Sequence, residues 1–559
     1  MSATQPPAPL SYAATGPQIQ AHHYPYRRCA DQDSNTPVRH PVVVVGAGPV
    51  GLSLAIDLAQ RGQPVVLLDN DHKLSTGSRA ICFAQRTLNI WDRLGVGSAM
   101  CAKGVQWNVG KVYLKDALLY QFDLLPETGH ARPAFINLQQ YYAEAFLAVR
   151  AAEMPLIDLR WNHNVAALEA VADGVRLGID TPDGPYTLHA DFVAACDGSR
   201  SPLRTMLGQE STGRVFRDRF LIADVRMEAD LPAERWFWFD PPFHPRQSVL
   251  LHRQPDGVWR IDFQLGWDAD PEEEKKPERI KPRVSAMLRQ ALGRDVPFEM
   301  EWASVYTFAC QRMASFRHGR VLFAGDAAHG VSPFGARGAN SGVQDAENLA
   351  WKLDAVLRGQ APDALLDSYA LEREFAADEN ILHSTRATDF ITPKSAISQL
   401  FRDATLDLAC DYAFARRIVN SGRLSVPTAL HSTPLNTADS ASDNFIGAMV
   451  PGAAAIDAPL LNNGQPDWLL RHVGSGFTLL VFGPAPHWTA ELAIHIVAIG
   501  GSKAHGNLQD AEGLAAHRYD AQPGTAVLFR PDQHVCARWR QPTRAAVAAA
   551  LRRAHGFTG

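Results

Sequence analysis

Residues 42–51 read Val42-Val43-Val44-Val45-Gly46-Ala47-Gly48-Pro49-Val50-Gly51 and carry the clearest structural signal in the chain. Four consecutive valines are typical of a strand in the middle of a parallel sheet. The glycines fit a G-x-G-x-x-G turn, in which Gly46 permits the tight turn and Gly48 admits a pyrophosphate next to the backbone. Gly51 lets a helix pack closely against the strand. The stretch therefore predicts a strand, a phosphate-binding turn and a helix.

The residues that follow complete a dinucleotide-binding pattern. Apolar residues recur at helical spacing as far as Arg61-Gly62, and a second apolar strand over residues 65–68 ends in Asp69. Asp69 lies 23 positions after Gly46, where an acid accepts hydrogen bonds from the adenosine ribose. Because the whole strand, turn, helix, strand and acid context is present, we prefer this interpretation to a Gly-rich turn in another α/β fold.

Two later turns repeat this combination of a strand end and an acid. Asp197-Gly198 follows an apolar strand over residues 192–196, and Gly325-Asp326 follows another over 320–323. A Gly-rich loop and a helix, predicted over 343–357, come after Asp326. Glycines and a helix N-terminus favour an anion there, and Asp326 suits a hydroxyl partner such as a ribityl chain. The alternative is a tight loop that only caps the helix.

Length and composition indicate an ordinary globular protein. The 559 residues are enough for about two or three domains. With 46% hydrophobic and 20% charged residues and a net charge of −5, we expect neither nucleic acid nor a membrane as a partner. The seven cysteines contain no C-x-x-C pair, so we expect reduced thiols in the cytoplasm, with no metal site.

Changes of pattern divide the chain into four parts. We expect residues 1–40 to be an extension that is partly ordered at best, and residues 41–210 and 311–420 to form the nucleotide-binding domain. Alternating strands and the aromatic cluster Trp236-Phe237-Trp238-Phe239 predict an inserted antiparallel sheet over 211–310, on the substrate side. Residues 445–559 predict a small α/β module with three strands.

The three motifs Gly46-x-Gly48-x-x-Gly51, Cys196-Asp197-Gly198 and Gly325-Asp326 resemble the class A flavoprotein monooxygenases, which include p-hydroxybenzoate and phenol hydroxylases. Together with Gly77-Ser78-Arg79-Ala80, they look most like the 3-(3-hydroxyphenyl)propionate hydroxylase-like branch. The tail, with Arg530-Pro531-Asp532, is similar to the phenol hydroxylases' thioredoxin-like domain. The resemblance implies an α/β fold: a Rossmann-like FAD-binding domain, an inserted antiparallel-sheet substrate domain and a C-terminal thioredoxin-like domain lacking redox cysteines.

The resemblance also implies which residues bind FAD. Those expected on the ADP half are Gly46, Gly48, Gly51 and Asp69. Those expected near the dinucleotide are Arg79, Gln140, Asp197 and Gly198. Those expected at the ribityl and ring end are Gly325, Asp326, Gly338, Ala339 and Asn340. Two departures from the family are Asp69, where Glu is usual, and Ala336-Arg337-Gly338, where Gly-Gln-Gly is usual and the arginine brings a cation near the flavin.

The implied activity is that of a single-component aromatic hydroxylase. Since the chain has one G-x-G-x-x-G motif, NAD(P)H would bind transiently, reduce FAD and leave. With O2 a C4a-hydroperoxyflavin would then hydroxylate a phenolic compound, including hydroxylated aromatic acids. Substrate contacts are expected from the predicted sheet, with His252, Arg253 and Tyr306 as catalytic candidates beside His244 and Arg260, although each of these fits a structural role as well. A homodimer is expected from the family.

Two other functions remain open from the sequence. Residues 236–241 are similar to the W-x-W-x-I-P motif of flavin-dependent halogenases, with Asp240 in place of Ile. A halogenase would need a separate reductase. The second alternative is a flavin-binding protein without turnover, in which the tail mediates association.

Overall fold

The structure is a computed structural model that describes residues 9–77, 80–419, 424–474, 476–500 and 507–557. Its α-helices are, in chain order, α1 Gly16–Ala21, α2 Pro49–Gln60, α3 Gln85–Leu94, α4 Gly97–Lys103, α5 Gln140–Ala152, α6 Pro202–Met206, α7 Pro271–Glu274, α8 Pro277–Leu292, α9 Gly338–Leu357, α10 Leu365–Ile391, α11 Ala396–Ala409, α12 Ala413–Val419, α13 Leu514–Arg518 and α14 Arg544–Ala554.

The strands before residue 210 are β1 Val38–Val45, β2 Val65–Asp69, β3 Cys82–Ala84, β4 Val105–Trp107, β5 Val109–Leu114, β6 Ala117–Asp123, β7 Phe135–Asn137, β8 Ile157–Trp161, β9 Asn164–Val171, β10 Gly174–Asp180 and β11 Tyr186–Ala195. Those from 211 to 330 are β12 Ser211–Val215, β13 Arg219–Met227, β14 Arg235–Phe239, β15 Ser248–Arg253, β16 Val258–Leu265, β17 Phe298–Tyr306, β18 Ala309–Met313, β19 Arg317–His318, β20 Val321–Phe323 and β21 His329–Gly330. The last are β22 Pro459–Asn462, β23 Gln465–Trp468, β24 Thr478–Phe482, β25 His495–Ile499, β26 Leu508–Gln509, β27 Ala526–Phe529 and β28 Val535–Trp539.

An eight-stranded sheet forms the first layer, in the order β19-β20-β11-β1-β2-β8, with β10 paired to β11 and β9 paired to β10. Strands β20, β11, β1, β2 and β8 are parallel. The four valines of β1 are buried, as expected for a strand covered on both faces. The predicted α/β architecture is therefore confirmed. Helix α9 begins at Gly338, earlier than the apolar pattern indicated, because its first turn is polar.

A seven-stranded sheet lies beside it, in the order β17-β13-β16-β15-β14-β5-β6. Neighbouring strands are antiparallel except β14 and β5. One face packs its apolar side chains against helix α8. Strands β5 and β6 precede residue 211, so this layer draws strands from outside the 211–310 range that the sequence analysis assigned to it. Local alternation could not reveal which sheet an isolated pair of strands would join.

Residues 9–40 are more ordered than their composition indicated. They contain α1 and a 3-10 helix over Ala30–Asp33. The Gly16 N–H donates to the Tyr142 hydroxyl, and the Tyr24 ring stacks on Trp161. A few aromatic and charged anchors therefore hold this segment, although it has little apolar surface to bury.

The C-terminal part contains a seven-stranded mixed sheet in the order β23-β22-β26-β25-β24-β27-β28. The sequence predicted three of these strands and missed four, of which β22, β23 and β26 are short, whereas β28 has five residues and is buried over the first four. Helix α14 and one sheet face share an apolar cluster with Trp351 of α9 and Leu365 of α10. The C-terminal part therefore packs directly on the helices that follow the Asp326 turn.

Candidate active site

The parallel strands end in register at one edge of the first sheet. Val45 of β1 pairs with Leu68 of β2 and with Ala195 of β11, which in turn pairs with Phe323 of β20. The turns that begin with Gly46, Asp69, Cys196 and Ala324 are therefore neighbours. In open α/β sheets this carboxyl edge is where nucleotides bind.

The glycine turn after β1 has the geometry that the motif requires. Gly46 has φ +105°, and a Cβ there would lie 2.4 Å from the carbonyl oxygen of Cys196. A Cβ on Gly51 would lie 1.9 Å from the carbonyl oxygen of Gly46, so α2 approaches β1 more closely than any side chain allows. Nothing lies within 4 Å of a Cβ built on Gly48, the residue before α2 begins. The helix N-terminus thus faces open space, where backbone N–H groups favour an anion.

Three acids lie at the ends of strands along this edge. Asp69 accepts hydrogen bonds from the backbone N–H groups of Ala47 (2.6 Å) and Asp71 (2.8 Å), and burial raises its pKa. Asp197 accepts one from the Leu203 N–H at 3.1 Å. Its Oδ1 is buried and has no hydrogen-bond partner among the described residues. Asp326 lies in the turn after β20 with its side chain exposed.

A buried ionic group behind the Asp326 turn was missed by the sequence analysis. Asp345 on α9 accepts a hydrogen bond from the Gly325 N–H at 2.9 Å. The same carboxylate contacts His329 Nε2 at 2.7 Å and Arg373 Nε at 2.6 Å. Burial alone would raise the pKa of Asp345, but His329 and Arg373 outweigh it and lower that pKa. The carboxylate therefore stays charged and fixes the Gly325 backbone. Helix α9 buries several other polar side chains, so its sequence pattern did not single out Asp345.

The face of the seven-stranded sheet opposite α8 carries a row of polar residues across four adjacent strands. Asp224, Arg260, His252 and Arg235 are successive cross-strand neighbours. Arg260 forms a bidentate pair with Asp224 at 2.7 and 2.8 Å. Arg235 is 7% exposed, and among the described residues its guanidinium donates to the Phe334 carbonyl at 3.4 Å. Within the described residues this buried guanidinium has no carboxylate partner.

Asp262 and Tyr306 lie on the same face. Asp262 is flanked by Ile222 and Leu250 on the neighbouring strands and is 9% exposed. Burial raises the pKa of Asp262 to about 6, although Arg260 opposes the shift. Burial, with Asp262 nearby, also raises the pKa of Tyr306 well above 10. Tyr306 therefore remains a neutral donor, while Asp262 titrates close to neutral pH.

A cavity of about 550 Å³ opens at the β14 and β5 end of this face. Arg235 lies in its wall, next to the Phe334 to Arg337 loop. The exposed Arg386 and Arg417 also line it. Its aromatic lining consists of Phe122, Phe237, Phe239, Phe334, Phe390 and Phe401. The cavity can hold a flat, apolar ligand with a negative group.

A family profile described as an FAD binding domain matches residues 39–384, more than half of the chain. The chain belongs to the FAD-dependent aromatic hydroxylases. The class A resemblance that the motifs indicated is therefore confirmed.

Individual relatives agree with this family. A 3-(3-hydroxy-phenyl)propionate/3-hydroxycinnamic acid hydroxylase of Mycolicibacterium smegmatis is 28% identical over 532 residues, 89% of this chain and 90% of the relative. A probable NADH-specific resorcinol 4-hydroxylase of Rhodococcus jostii is 32% identical over 339 residues, 60% of this chain and 62% of the relative. The flavin-dependent monooxygenase PieE, solved with FAD and substrate, has a TM-score of 0.77 at 23% identity and covers 93% of this chain and all (100%) of its own. This last likeness shows the shared fold.

The nucleotide edge of the hydroxylase fits FAD. The open backbone at Gly48 suits the pyrophosphate, and the unpartnered Asp197 oxygen and the exposed Asp326 suit hydroxyl groups. Gly198 has φ +79° with no atom within 4 Å of a Cβ built on it, so its backbone is also open. Gly338 and Ala339 form the first turn of α9 at the same edge.

Two of the expected cofactor residues use their side chains to hold the protein loops. Asn340 accepts from the Ala84 N–H and the Thr87 hydroxyl and donates to the Cys82 and Ala336 carbonyls, which saturates its amide. Gln140 accepts from the Ala80 N–H and donates to Ser75 and Glu144. Arg79 lies outside the described residues.

The substrate-side candidates of the hydroxylase divide between the two faces of the sheet. His252, Arg260 and Tyr306 face the same side as Arg235. Arg253 faces the other way and lies over Trp259, because neighbouring residues in a strand alternate. His244 contacts the Gln264 carbonyl and packs on Phe263, away from the cavity. None of these five candidates is therefore among the described residues that line the cavity, although three of them share a sheet face with Arg235.

The sequence analysis missed Arg235 and Asp262. Period-2 alternation provided a signal for both, since Arg235 shares a face with Phe237 and Phe239, and Asp262 with Arg260. The tryptophans of the halogenase-like stretch, Trp236 and Trp238, alternate with these residues and pack on the α8 face.

Three further findings concern membrane spans, metal ions and cysteines. In the described part of the chain, no helix combines the length and hydropathy needed to cross a membrane. No group of three or more His, Cys, Asp or Glu within those residues could hold a metal ion. The seven cysteines are free thiols.

Proposed function

We propose that the protein uses NAD(P)H, FAD and O2 to hydroxylate a phenolic compound that carries a negative group, such as a hydroxylated aromatic acid. The observation that carries this proposal is the phenylalanine-lined cavity with the buried Arg235 guanidinium in its wall. FAD, when bound at the nucleotide edge, supplies the activation of O2 and the electrons taken from the nicotinamide. The relative named as NADH-specific supports a nicotinamide reductant.

Arg235 is proposed to bind the negative group of the substrate. A guanidinium removed from water without a carboxylate partner is costly, because burial lowers its pKa and its donors lack strong acceptors. A substrate carboxylate would supply charge-assisted hydrogen bonds that offset this cost. The phenylalanine rings would hold the aromatic part.

Asp262, which lies on the sheet face shared with Arg235 but outside the cavity lining, is proposed to accept the phenolic proton. A base works best when its pKa lies near the working pH, and the Asp262 pKa of about 6 meets this requirement. His252 is a poorer base, since burial and the neighbouring Arg235 and Arg260 hold its pKa well below 6.5. Tyr306, held neutral, would donate a hydrogen bond to the phenolate oxygen. The exclusion of water from this face would strengthen these interactions.

The experiment that tests this function is NADH and NADPH consumption in air by the FAD-loaded protein, with product masses recorded. The panel pairs phenols with the same phenols bearing a carboxylate, in one-ring and two-ring forms. We expect one carboxylate-bearing phenol to stimulate consumption and gain one oxygen atom. Release of peroxide alone would identify a substrate mimic. Stimulation by neutral phenols only would contradict the role of Arg235.

Arg235→Met and Arg253→Met form a matched pair, since both remove a guanidinium from neighbouring strands. We expect Arg235→Met to raise KM for the carboxylate-bearing substrate by about 30-fold or more, because a charge-assisted hydrogen bond is lost. We expect Arg253→Met, on the opposite face, to change KM less than about 2-fold. If the two substitutions changed KM equally, Arg235 would not be the residue that binds the negative group of the substrate.

The halogenase alternative gains no support, since the relatives are named hydroxylases and monooxygenases. A flavin-binding protein without turnover would be favoured if no aromatic compound stimulated nicotinamide oxidation. We also propose a thioredoxin-like C-terminal domain without redox cysteines, supported by the parallel pair β24 and β25 beside the antiparallel β27 and β28. The homodimer and the cytoplasmic location remain predictions, the first testable by light scattering.

A further inference from the structure

Residues 9–33 form a segment, here called the N-terminal strap, that precedes the matched FAD-binding region, which begins at residue 39. Both ends of the strap are anchored. Near its start, the Gly16 N–H donates to the Tyr142 hydroxyl at 2.7 Å. Near its end, Asp31 pairs with Arg160 at 2.7 Å and with His40 at 2.8 Å. The strap is therefore held in place by the protein itself.

Between these anchors the strap crosses two loops of the nucleotide edge. The Tyr24 N–H donates to the His72 carbonyl at 2.6 Å, in the loop after β2. The Tyr24 ring stacks on Trp161, the last residue of β8, at 4.2 Å and 8°. The strap thus bridges the segments that follow two adjacent parallel strands.

These two loops are joined directly to Asp69. The N–H of His163 donates to the Asp69 carbonyl at 2.9 Å, and that of Asn162 donates to the Asp71 carbonyl at 3.0 Å. Asp69 is the acid expected to contact the adenosine ribose. The strap therefore lies over the adenosine end of the nucleotide site.

The Tyr24 hydroxyl is a buried polar group on the inner side of the strap. Its oxygen is buried and makes no hydrogen bond within the described residues. It lies close enough to Glu144 for that carboxylate to raise the Tyr24 pKa further, after burial. Glu144 already accepts from Ser75 and Gln140 and interacts electrostatically with Asp69. A buried hydroxyl without a partner is costly, so a ligand group that bonds to it would be favoured.

We propose that the N-terminal strap retains FAD by covering its adenosine half, with the Tyr24 hydroxyl hydrogen-bonding to the bound cofactor. The strap thereby adds a cofactor contact from outside the 39–384 region that the FAD-binding profile matches. By linkage, bound FAD would in turn stabilise the strap in this position.

The test compares Tyr24→Phe with Tyr26→Phe in the FAD-loaded, full-length protein. Both substitutions keep the ring and remove one hydroxyl from the strap, but the Tyr26 hydroxyl already has protein partners, since it donates to Gln32 and contacts Thr181. FAD release after dilution is followed by the rise in flavin fluorescence. We expect Tyr24→Phe to release FAD about 3- to 10-fold faster, the effect of one neutral hydrogen bond, and Tyr26→Phe to match the wild type.

A second readout uses trypsin, because Arg27 and Arg28 in the strap are exposed. We expect saturating FAD to slow cleavage there in the wild type and in Tyr26→Phe, and to slow it less in Tyr24→Phe. Release rates for Tyr24→Phe equal to those of the wild type, together with cleavage that does not respond to FAD, would overturn the proposal. Neither readout requires hydroxylation, so the proposal can fail without affecting the proposed function.

Discussion

The Asp262 carboxyl is buried between two apolar neighbours, on the sheet face that also carries Arg260 and Arg235. Burial raises its pKa to about 6 although Arg260 and Arg235 oppose the shift, so this pKa lies between those of a solvated aspartate and a solvated histidine. A base of this kind is charged at neutral pH and becomes protonated in mild acid.

We expect kcat/KM of the wild type to fall below pH about 6, as Asp262 becomes protonated. Asp262→Asn removes the base, so we expect a decrease of about 100-fold to 10,000-fold at pH 8 and loss of the acidic limb. The measurement is a pH profile of substrate-stimulated nicotinamide oxidation. An Asp262→Asn enzyme that keeps the limb near pH 6 would show that another group accepts the proton.

The same carboxyl should weaken the fold at neutral pH. Its pKa is raised in the folded state, so the folded protein binds more protons between about pH 4 and 6, and this group's contribution to stability falls as pH rises through that range. We expect Asp262→Asn to raise the free energy of unfolding at pH 8 by about 1 to 3 kcal/mol, and to change it less at pH 4. Urea unfolding at both pH values measures this difference, and equal effects at both would contradict it.

The turn between β1 and α2 separates the structural and the cofactor-binding roles of its glycines. Gly51 lies where α2 touches the Gly46 carbonyl, whereas Gly48 has φ −75° and faces open space. The Cβ of an alanine at position 48 would therefore enter open space without backbone strain, but it would project toward the place expected for the pyrophosphate. An alanine at position 51 forces the helix away from the sheet.

We expect Gly51→Ala to cost at least about 3 kcal/mol of stability, and Gly48→Ala to cost less than about 1 kcal/mol while weakening FAD binding 10-fold or more. Thermal unfolding of the FAD-free proteins and titration with FAD separate the two effects. If Gly48→Ala bound FAD as tightly as the wild type, the prediction that the pyrophosphate binds at this turn would be wrong.

A buried ionic network joins the C-terminal part to the two long helices. Glu372 on α10 pairs with Lys352 of α9 at 2.8 Å and with Arg530 at 2.7 Å. Arg530 also pairs with Asp532 at 2.6 Å, which accepts from Asn348 at 3.1 Å. Burial alone would raise the Glu372 pKa, but Arg530 and Lys352 outweigh it and lower that pKa. Helix α9 begins at the nucleotide edge, so this network connects the C-terminal part with the cofactor site.

We expect Arg530→Met to cost about 3 to 5 kcal/mol, because it leaves Glu372 and Asp532 buried with fewer partners. The unfolding transition should broaden or split as the C-terminal part separates. Arg471→Met, which removes an exposed partner of Asp467, is the control and should change stability by less than about 1 kcal/mol. Calorimetry of both variants measures this, and similar curves would mean that apolar packing alone joins the parts.

The sequence by itself determined the nucleotide-binding half of this protein. The valine run, the three glycines and the acids at strand ends act through local geometry: a strand, a tight turn and a helix fix where Gly46, Gly48, Gly51 and Asp69 stand. Once those strands are parallel, their ends must meet at one edge, so the cofactor could be inferred together with its site.

Only the tertiary structure decided the substrate side. Arg235, His252, Arg260 and Asp224 come from four strands, and their alignment depends on register between segments far apart in sequence. The choice between Arg253 and its neighbour His252 depended on which sheet face α8 covers. The role of the strap could not be predicted for the same reason. Tyr24 reaches Trp161 and the loop after Asp69 only when the chain is folded. Local patterns specify backbone geometry, whereas burial and charge pairing arise only when distant segments pack.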